Sequence, residues 1–191
     1  MTIRKMLLLP RETERLILQM PLPENAEKVQ AAIEESFSDL HPWMEWAVKL
    51  QTLDETKTVL DNAHARFNAM DDFSVHAFEK QTGRFVLSTG VHVRNWNVPK
   101  FEIGYWCRTS MQGKGYVTEA VRGLTSAAFE DLSANRLEIR CDIRNHRSAH
   151  VAERAGYRLE ATLRNDNRDN DGNLRDTLVY VMLPEDFVNR S

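Results

Sequence analysis

The sequence predicts a mixed α/β (α+β) fold in which one seven-stranded sheet carries helices on its faces. Three observations carry this prediction. Strand-like runs and amphipathic helices follow in the order strand, two helices, three strands, helix, strand, helix, two strands, which has no close fit to a Rossmann repeat. No internal repeat, low-complexity stretch or Pro/Gly/Ser linker divides the chain. Its 191 residues are enough for one domain with a full core, since typical domains hold roughly 100–200. The expectation is a single domain over 1–191 with its core at about 11–183.

Each element has a local cause. Arg15-Leu16-Ile17-Leu18 is a short first strand, and Pro21 and Pro23 lead into a helix over about 24–37 with Ala26, Val29, Ile33 and Phe37 at helical spacing. An aromatic, proline-broken segment follows at His41–Trp46. Thr52-Leu53-Asp54-Glu55 is a capping box, in which Thr52 and Glu55 satisfy orphan amides, and it opens a helix to about Met70 carrying Val59, Leu60, Ala63 and Phe67 inward. Strands are predicted at about 72–79, 84–94 and 100–107, the first two joined by the turn Gln81-Thr82-Gly83. A helix over about 116–132 aligns Val117, Ala120, Val121, Leu124, Ala128 and Leu132 on one face. Then come a strand at 136–141, a helix at about 147–155, and strands at 157–163 and about 177–183, the last two separated by a loop holding the turn Asp169-Asn170-Asp171-Gly172.

Composition narrows the class. A net charge of −3 gives no basic excess for nucleic acid. No segment approaches the roughly 20 apolar residues that span a bilayer. The apolar run in Met1–Pro10 is too short for a signal peptide, so a soluble, cytoplasmic protein is expected. The two cysteines, Cys107 and Cys141, lie in strand-like apolar runs and read as buried reduced thiols rather than a disulfide. His146 and His150 are four residues apart, but no carboxylate or thiol accompanies them, so no metal site is expected.

The chemistry-bearing stretch is the strand Phe101–Cys107, the turn Gln112-Gly113-Lys114-Gly115, and the helix that begins at Tyr116. Unpaired amides at a helix N-terminus, with the helix dipole behind them, bind anions. Glycine at 113 and 115 lets the backbone approach a pyrophosphate closely. A Rossmann fingerprint would need glycine at Thr118, and no Gly-x-x-x-x-Gly-Lys-Ser/Thr run exists. A plain turn that caps a helix is the alternative on the glycines alone.

With its context, Gln112-Gly113-Lys114-Gly115-Tyr116-Val117 resembles the acyl-CoA motif of the GCN5-related N-acetyltransferase (GNAT) superfamily, with Val117 departing from the usual small last residue. Asn145, Ser148, Ala152, Gly156 and Tyr157 match the family's later helix motif. The Glu-Ile-Gly-Tyr-Trp run at 102–106, the Trp43/Trp46 segment and the Asp176…Tyr180 strand resemble the RimJ/RimL-like ribosomal-protein N-terminal acetyltransferases. The likeness runs from about 11 to 183.

The resemblance implies a sheet splayed between its fourth and fifth strands, with acetyl-CoA as co-substrate and no metal. It implies direct acetyl transfer to a primary amine, most simply a protein N-terminus. Trp106, Cys107 and Arg108 would meet the pantetheine arm, with a backbone N–H near Trp106–Cys107 polarising the acetyl carbonyl. Gln112, Gly113, Lys114, Gly115, Val117 and Thr118 would hold the pyrophosphate, and Asn145 and Ser148 would contact the coenzyme. Ser148 is also the implied donor to the leaving thiolate, since Ala152 stands where many relatives have a tyrosine. For the base, the resemblance offers Glu102, or Asp166 or Asp169 near Asn167, where relatives favour a glutamate. A water wire without a single base is the other option. Trp43 and Trp46 would wall the acceptor cleft, and a homodimer would fit the subgroup. Two rival readings stay open: a small-molecule amine as acceptor, or a non-catalytic CoA-binding module.

Overall fold

The computed structural model describes residues 4–188, so residues 1–3 and 189–191 of the expected domain lie outside the described residues. The strands are β1 (Arg11–Glu12), β2 (Leu16–Gln19), β3 (Phe73–Glu79), β4 (Phe85–Asn95), β5 (Lys100–Cys107), β6 (Arg136–Asp142), β7 (Arg158–Arg168) and β8 (Leu174–Met182). The helices are α1 (Ala26–Leu40), α2 (Leu53–Asn68), α3 (Tyr116–Glu130), α4 (His146–Ala155) and α5 (Pro184–Val188). All seven expected strands form, and the short β1 makes an eighth, so the expected fourth and fifth strands are β5 and β6.

The strands make one sheet in the order β1-β2-β3-β4-β5-β6-β8-β7. Every neighbouring pair is antiparallel except β5 and β6. Ala120, Val121 and Leu124 of α3 and Ala149 and Ala152 of α4 join the main core with Val75, Val91, Ile103 and Ile139 from the sheet. A smaller cluster forms where Val29 and Ile33 of α1 and Leu60 of α2 meet Phe78, Phe85 and Trp106. Each fully buried leucine or phenylalanine contributes about 1.5–3 kcal/mol relative to exposure.

The capping box forms as expected: Thr52 Oγ1 accepts from the Glu55 amide and Glu55 Oε2 accepts from the Thr52 amide. Val59, expected inward, is half exposed. The inward position belongs to Thr56, whose hydroxyl donates to the buried Gln30 of α1, so a polar pair joins the two helices where the apolar pattern alone suggested a valine.

One buried carboxylate holds the middle of the sheet. Glu138 of β6, 3% exposed, accepts from Lys100 Nζ of β5 at 2.8 Å and from Arg136 Nε at 2.7 Å. Arg136 also forms a two-point contact with Glu160 of β7. Burial pushes the Glu138 carboxyl up, but Lys100 and Arg136 more than offset this and hold it below the ordinary range. Its contribution to stability is therefore fully present above the unfolded glutamate value of about 4.3 and fades as pH falls through the lower folded value. Glu138→Gln should lower the unfolding free energy by about 1–3 kcal/mol at neutral pH. Urea unfolding of both proteins should show the gap narrowing below about pH 4, and a gap that stays constant would mean the charge is not its source.

Candidate active site

The parallel contact between β5 and β6 spans three residues on each strand, Lys100–Glu102 against Arg136–Glu138. Beyond it β5 stays with β4 and β6 stays with β8, and the two strands separate. This is the splay that the family resemblance implied. In an antiparallel ladder successive residues aim their backbone groups to opposite sides. The Arg108 amide donates to Val86 of β4, so by alternation the Trp106 amide also faces β4 while the amides of Tyr105 and Cys107 face the gap. The gap opens into a cavity of about 500 Å³. Glu102 to Tyr105, Arg140 to Asp142, Asn145, Ser148, and Asp166 and Asn167 line it, with Arg94, Arg175, Thr177 and the Trp43–Glu45 segment.

At the C-terminal end of β5 the chain turns through Gln112–Gly115 into α3. Gly113 and Gly115 have φ of 73° and 82°, left-handed values that a side chain would strain. Among the described residues, none of the amides from Gly113 to Thr118 donates a hydrogen bond. Arg15 braces the turn from β2's side: its guanidinium donates to the Lys114 carbonyl at 2.9 Å, pairs with Glu119 at 2.7 Å and lies over the Tyr116 ring. The Lys114 carbonyl is thus drawn away while the amides stay free, as an anion site requires. Gln112 sits between its own strand and α4, donating to the Cys107 carbonyl and accepting from Arg147. The Arg108 guanidinium turns instead to α1, pairing with Glu35 at 2.6 Å.

Across the gap, Asn145 caps α4 by accepting from the Ser148 amide. Ser148 Oγ lies 3.1 Å from the hydroxyl of Tyr105, which also reaches the Ser148 carbonyl. Burial of that hydroxyl raises the Tyr105 pKa well above the ordinary tyrosine value, so it stays protonated at neutral pH. Cys141 lines the same wall, and burial raises its thiol pKa as well.

The acidic candidates are all in ion pairs. Glu102 pairs with Arg94 at 3.1 Å, and Asp166 with Arg140 at 2.8 Å. Both face the cavity, as does Asn167, whose amide donates to Glu45. Asp169 does not face it; its carboxylate accepts the Asp171 and Asn173 amides of the β7–β8 turn and meets Arg144. Trp43 is part of the cavity wall, whereas Trp46 packs on Trp106, ring centres 5.9 Å apart.

Several cavity residues carry no site role from sequence alone: Tyr105, Cys141, Arg94, Arg140, Arg175 and Glu45. Tyr105 was within reach. Ile103, Tyr105 and Cys107 alternate with Glu102, Gly104 and Trp106, and the first set faces the core under α3 and α4. The arginines carry no local signal, because each finds its partner only when the chain folds: Arg94 across the β4–β5 hairpin, Arg140 and Arg175 at greater separation. Among the described residues, no group of three or more His, Cys, Asp or Glu side chains could hold a metal ion, and no helix is long and apolar enough to cross a membrane.

The acetyltransferase (GNAT) domain family matches residues 15–158. A Bacillus subtilis (strain 168) protein, YdaF, named provisionally as a ribosomal N-acetyltransferase, is 26% identical over 175 residues, covering 91% of this chain and 94% of that protein. The fold is similar to that of RimL, a ribosomal L7/L12 α-N-protein acetyltransferase solved with coenzyme A, with a TM-score of 0.82 and 17% identity over 91% of this chain and 97% of that one. It is also similar to the microcin C7 self-immunity acetyltransferase MccE solved with acetyl-CoA and AMP, with a TM-score of 0.82 and 20% identity over 89% of this chain and 93% of that one.

Both cysteines are free. Burial pushes the Cys107 thiol up to about 12, with Lys114 offsetting only part of it. A disulfide reagent at pH 8 should therefore leave Cys107 unmodified in the folded protein and label both thiols in denaturant. Rapid native labelling of Cys107, read by peptide mass, would contradict its burial.

Proposed function

The chain belongs to the acetyltransferase (GNAT) family, and we propose that this N-acetyltransferase moves the acetyl group of acetyl-CoA directly to the N-terminal amine of a protein. The observation that carries the reading is the row of free amides at the start of α3, set beside a strand whose own amides open into an acceptor-sized cavity. Free thiols suit a reducing compartment, the cytoplasm, and the whole chain is taken to work as one domain.

Acetyl-CoA supplies a thioester, an acyl group already activated toward amines. The residues of the chain do the rest. The amides from Gly113 to Thr118 hold the pyrophosphate, with the α3 dipole adding to the attraction. Apart from its own chain neighbours, nothing lies within 4 Å of where a Gly113 side chain would begin, so the cradle is open as well as unpartnered. The amide of Tyr105 or Cys107 donates to the acetyl oxygen, where negative charge grows as the amine attacks. Ser148, hydrogen-bonded to Tyr105, offers a proton on the thiolate side. Asn145 orients the first turn of α4 that carries Ser148.

On the acceptor side the cavity offers both signs of charge. Glu45, Glu102 and Asp166 attract an ammonium, and Arg94, Arg140 and Arg175 can meet the carbonyls of the peptide behind it. Trp43 supplies an apolar wall for the first side chain. YdaF, provisionally a ribosomal N-acetyltransferase, and RimL, a ribosomal L7/L12 α-N-protein acetyltransferase, support a protein acceptor.

Calorimetric titration with acetyl-CoA, followed by a free-thiol assay on pooled peptides, amino acids, polyamines and aminoglycosides, tests the reading. Peptide-dependent thiol release is expected; release on a metabolite pool would move the acceptor to small amines, and binding without release to any pool would leave a coenzyme-binding module. Gly113→Val should weaken acetyl-CoA binding by about tenfold or more, about 1.4 kcal/mol. Ser148→Ala should lower turnover by about 10–100-fold and leave acetyl-CoA affinity near the wild-type value. Unchanged affinity in the first variant, or unchanged turnover in the second, would remove that residue from its role.

A further inference from the structure

Glu102 and Asp166 are both tied to arginines, so neither is a free proton acceptor in the cavity. A different group beside the same wall is better prepared. His92 of β4 stands directly opposite Glu102 of β5. Its Nδ1 lies 2.9 Å from Oδ1 of Asp72, a residue 7% exposed just before β3. Asp72 also accepts from Ser74 Oγ and faces Arg66 of α2 at 3.7 Å. Burial pushes the Asp72 carboxyl up, but His92, Arg66 and Ser74 together hold it below its ordinary range, so it is a carboxylate at neutral pH. A carboxylate can only accept, so Nδ1 carries a hydrogen, and in the neutral ring the lone pair is on Nε2.

Nε2 has no hydrogen-bond partner among the described residues. It lies over two glycines that pair across β4 and β5, Gly90 and Gly104. A Cβ on Gly90 would sit 2.9 Å from the ring's Cε1, 3.2 Å from Nε2 and 2.8 Å from the Phe73 carbonyl; one on Gly104 would sit 3.3 Å from Nε2. Neither glycine has a positive φ, so what they provide is room, not backbone freedom. Gly104 and Glu102 are both part of the cavity wall. Two glycines and a buried carboxylate therefore seat an imidazole whose free nitrogen lies over Gly104, a residue of the cavity wall, although His92 is not itself part of that wall. The charged groups around it are Asp72 before β3, Arg66 on α2, Arg94 on its own strand and Glu102 on β5.

We propose that His92, oriented by Asp72, is the general base of the acetyl transfer. The proposal rests on the acetyltransferase reading above. The acceptor ammonium gives one proton to Nε2 through water, and His92 passes it to solvent. The freed nitrogen lone pair forms the C–N bond as the C–S bond breaks. The second proton lost by that nitrogen goes to the same imidazole, again neutral, and on to solvent, while Ser148 gives its proton to the leaving sulfur and regains one from solvent, so one proton is released per turnover. Asp72 touches no reactant and is a positioning residue.

The test is kcat against pH at saturating acetyl-CoA, for wild type, His92→Gln and Asp72→Asn, using the amine that gives thiol release with wild type. Acetyl-CoA affinity is measured for each by calorimetry as the check on folding. Wild-type kcat should rise with pH through one ionisation. In His92→Gln that rise should vanish and kcat fall by about 100-fold, with acetyl-CoA affinity within about twofold. Asp72→Asn, which keeps the imidazole but loosens it, should keep the rise with kcat down about tenfold. A His92→Gln enzyme with wild-type kcat and an intact rise would overturn the base while leaving the acetyltransferase reading in place. Should His92→Gln fail to bind acetyl-CoA, an Asp72→Asn enzyme with wild-type kcat would overturn the proposal instead. A wild type that acetylates none of the pooled amines would remove the acceptor reading and the base together.

Discussion

The contact on which the site depends is the three-residue parallel seam between β5 and β6, fastened by the buried Glu138 carboxylate to Lys100 and Arg136. Each of the two strands is committed along its length to an antiparallel partner, β5 to β4 and β6 to β8. Sheets twist, and two such pairs fastened at one end diverge at the other unless ladder bonds continue between them. Here those bonds stop at Glu102 and Glu138. In an ordinary sheet the unmet amides beyond that point would be a defect, since buried backbone donors are nearly always paired. In this one they face the cavity, where a ligand can supply the acceptors. Clamp and opening are two ends of one device.

Alternation along β5 then divides the chemistry. Ile103, Tyr105 and Cys107 face the core under α3 and α4, and through Tyr105 they reach Ser148. Glu102, Gly104 and Trp106 face the other way, toward His92, the Trp43–Trp46 segment and α1. A proton leaving the amine and a proton delivered to sulfur are thus handled on opposite faces of one strand, which keeps the two titrating systems from neutralising each other directly. The arginine pairs serve the same separation. Arg94 holds Glu102 and Arg140 holds Asp166, so an entering ammonium meets carboxylates that are already oriented.

What was legible in the sequence was local. The Gln112–Val117 turn and the Asn145–Tyr157 helix keep their function within one turn of chain, where glycine placement and capping chemistry can be read directly. The element order was legible because apolar periodicity registers burial. What escaped is what long-range pairing creates. Arg15 braces a turn ninety-nine positions away, and nothing near residue 15 announces it. Val59 fits the helical stripe but loses the inward place to Thr56, because a hydrogen-bonded Gln30 is waiting on the facing helix. Asp72 and His92 meet across two strands, and the splay of the sheet is set by register, which strand periodicity alone leaves undetermined.

The glycines make the same point in reverse. Gly113 and Gly115 are read from sequence because they stand in a motif, yet a turn that merely caps a helix would look the same. What separates the two cases is where the neighbouring groups go. A capping turn would use its amides inside the protein; this one leaves them unpaired and has Arg15 draw the Lys114 carbonyl aside. Gly90 stands in no motif, and neither it nor Gly104 has an unusual backbone angle; the ring of His92 lies across both and the Phe73 carbonyl also closes in on Gly90, so what excludes a side chain there is space. A glycine that serves a backbone angle is visible in one chain segment, whereas a glycine that makes room becomes visible only when the group that fills the room is known. The second kind therefore points to a site that sequence motifs do not reach, and in this sheet it points to the acceptor side of β5.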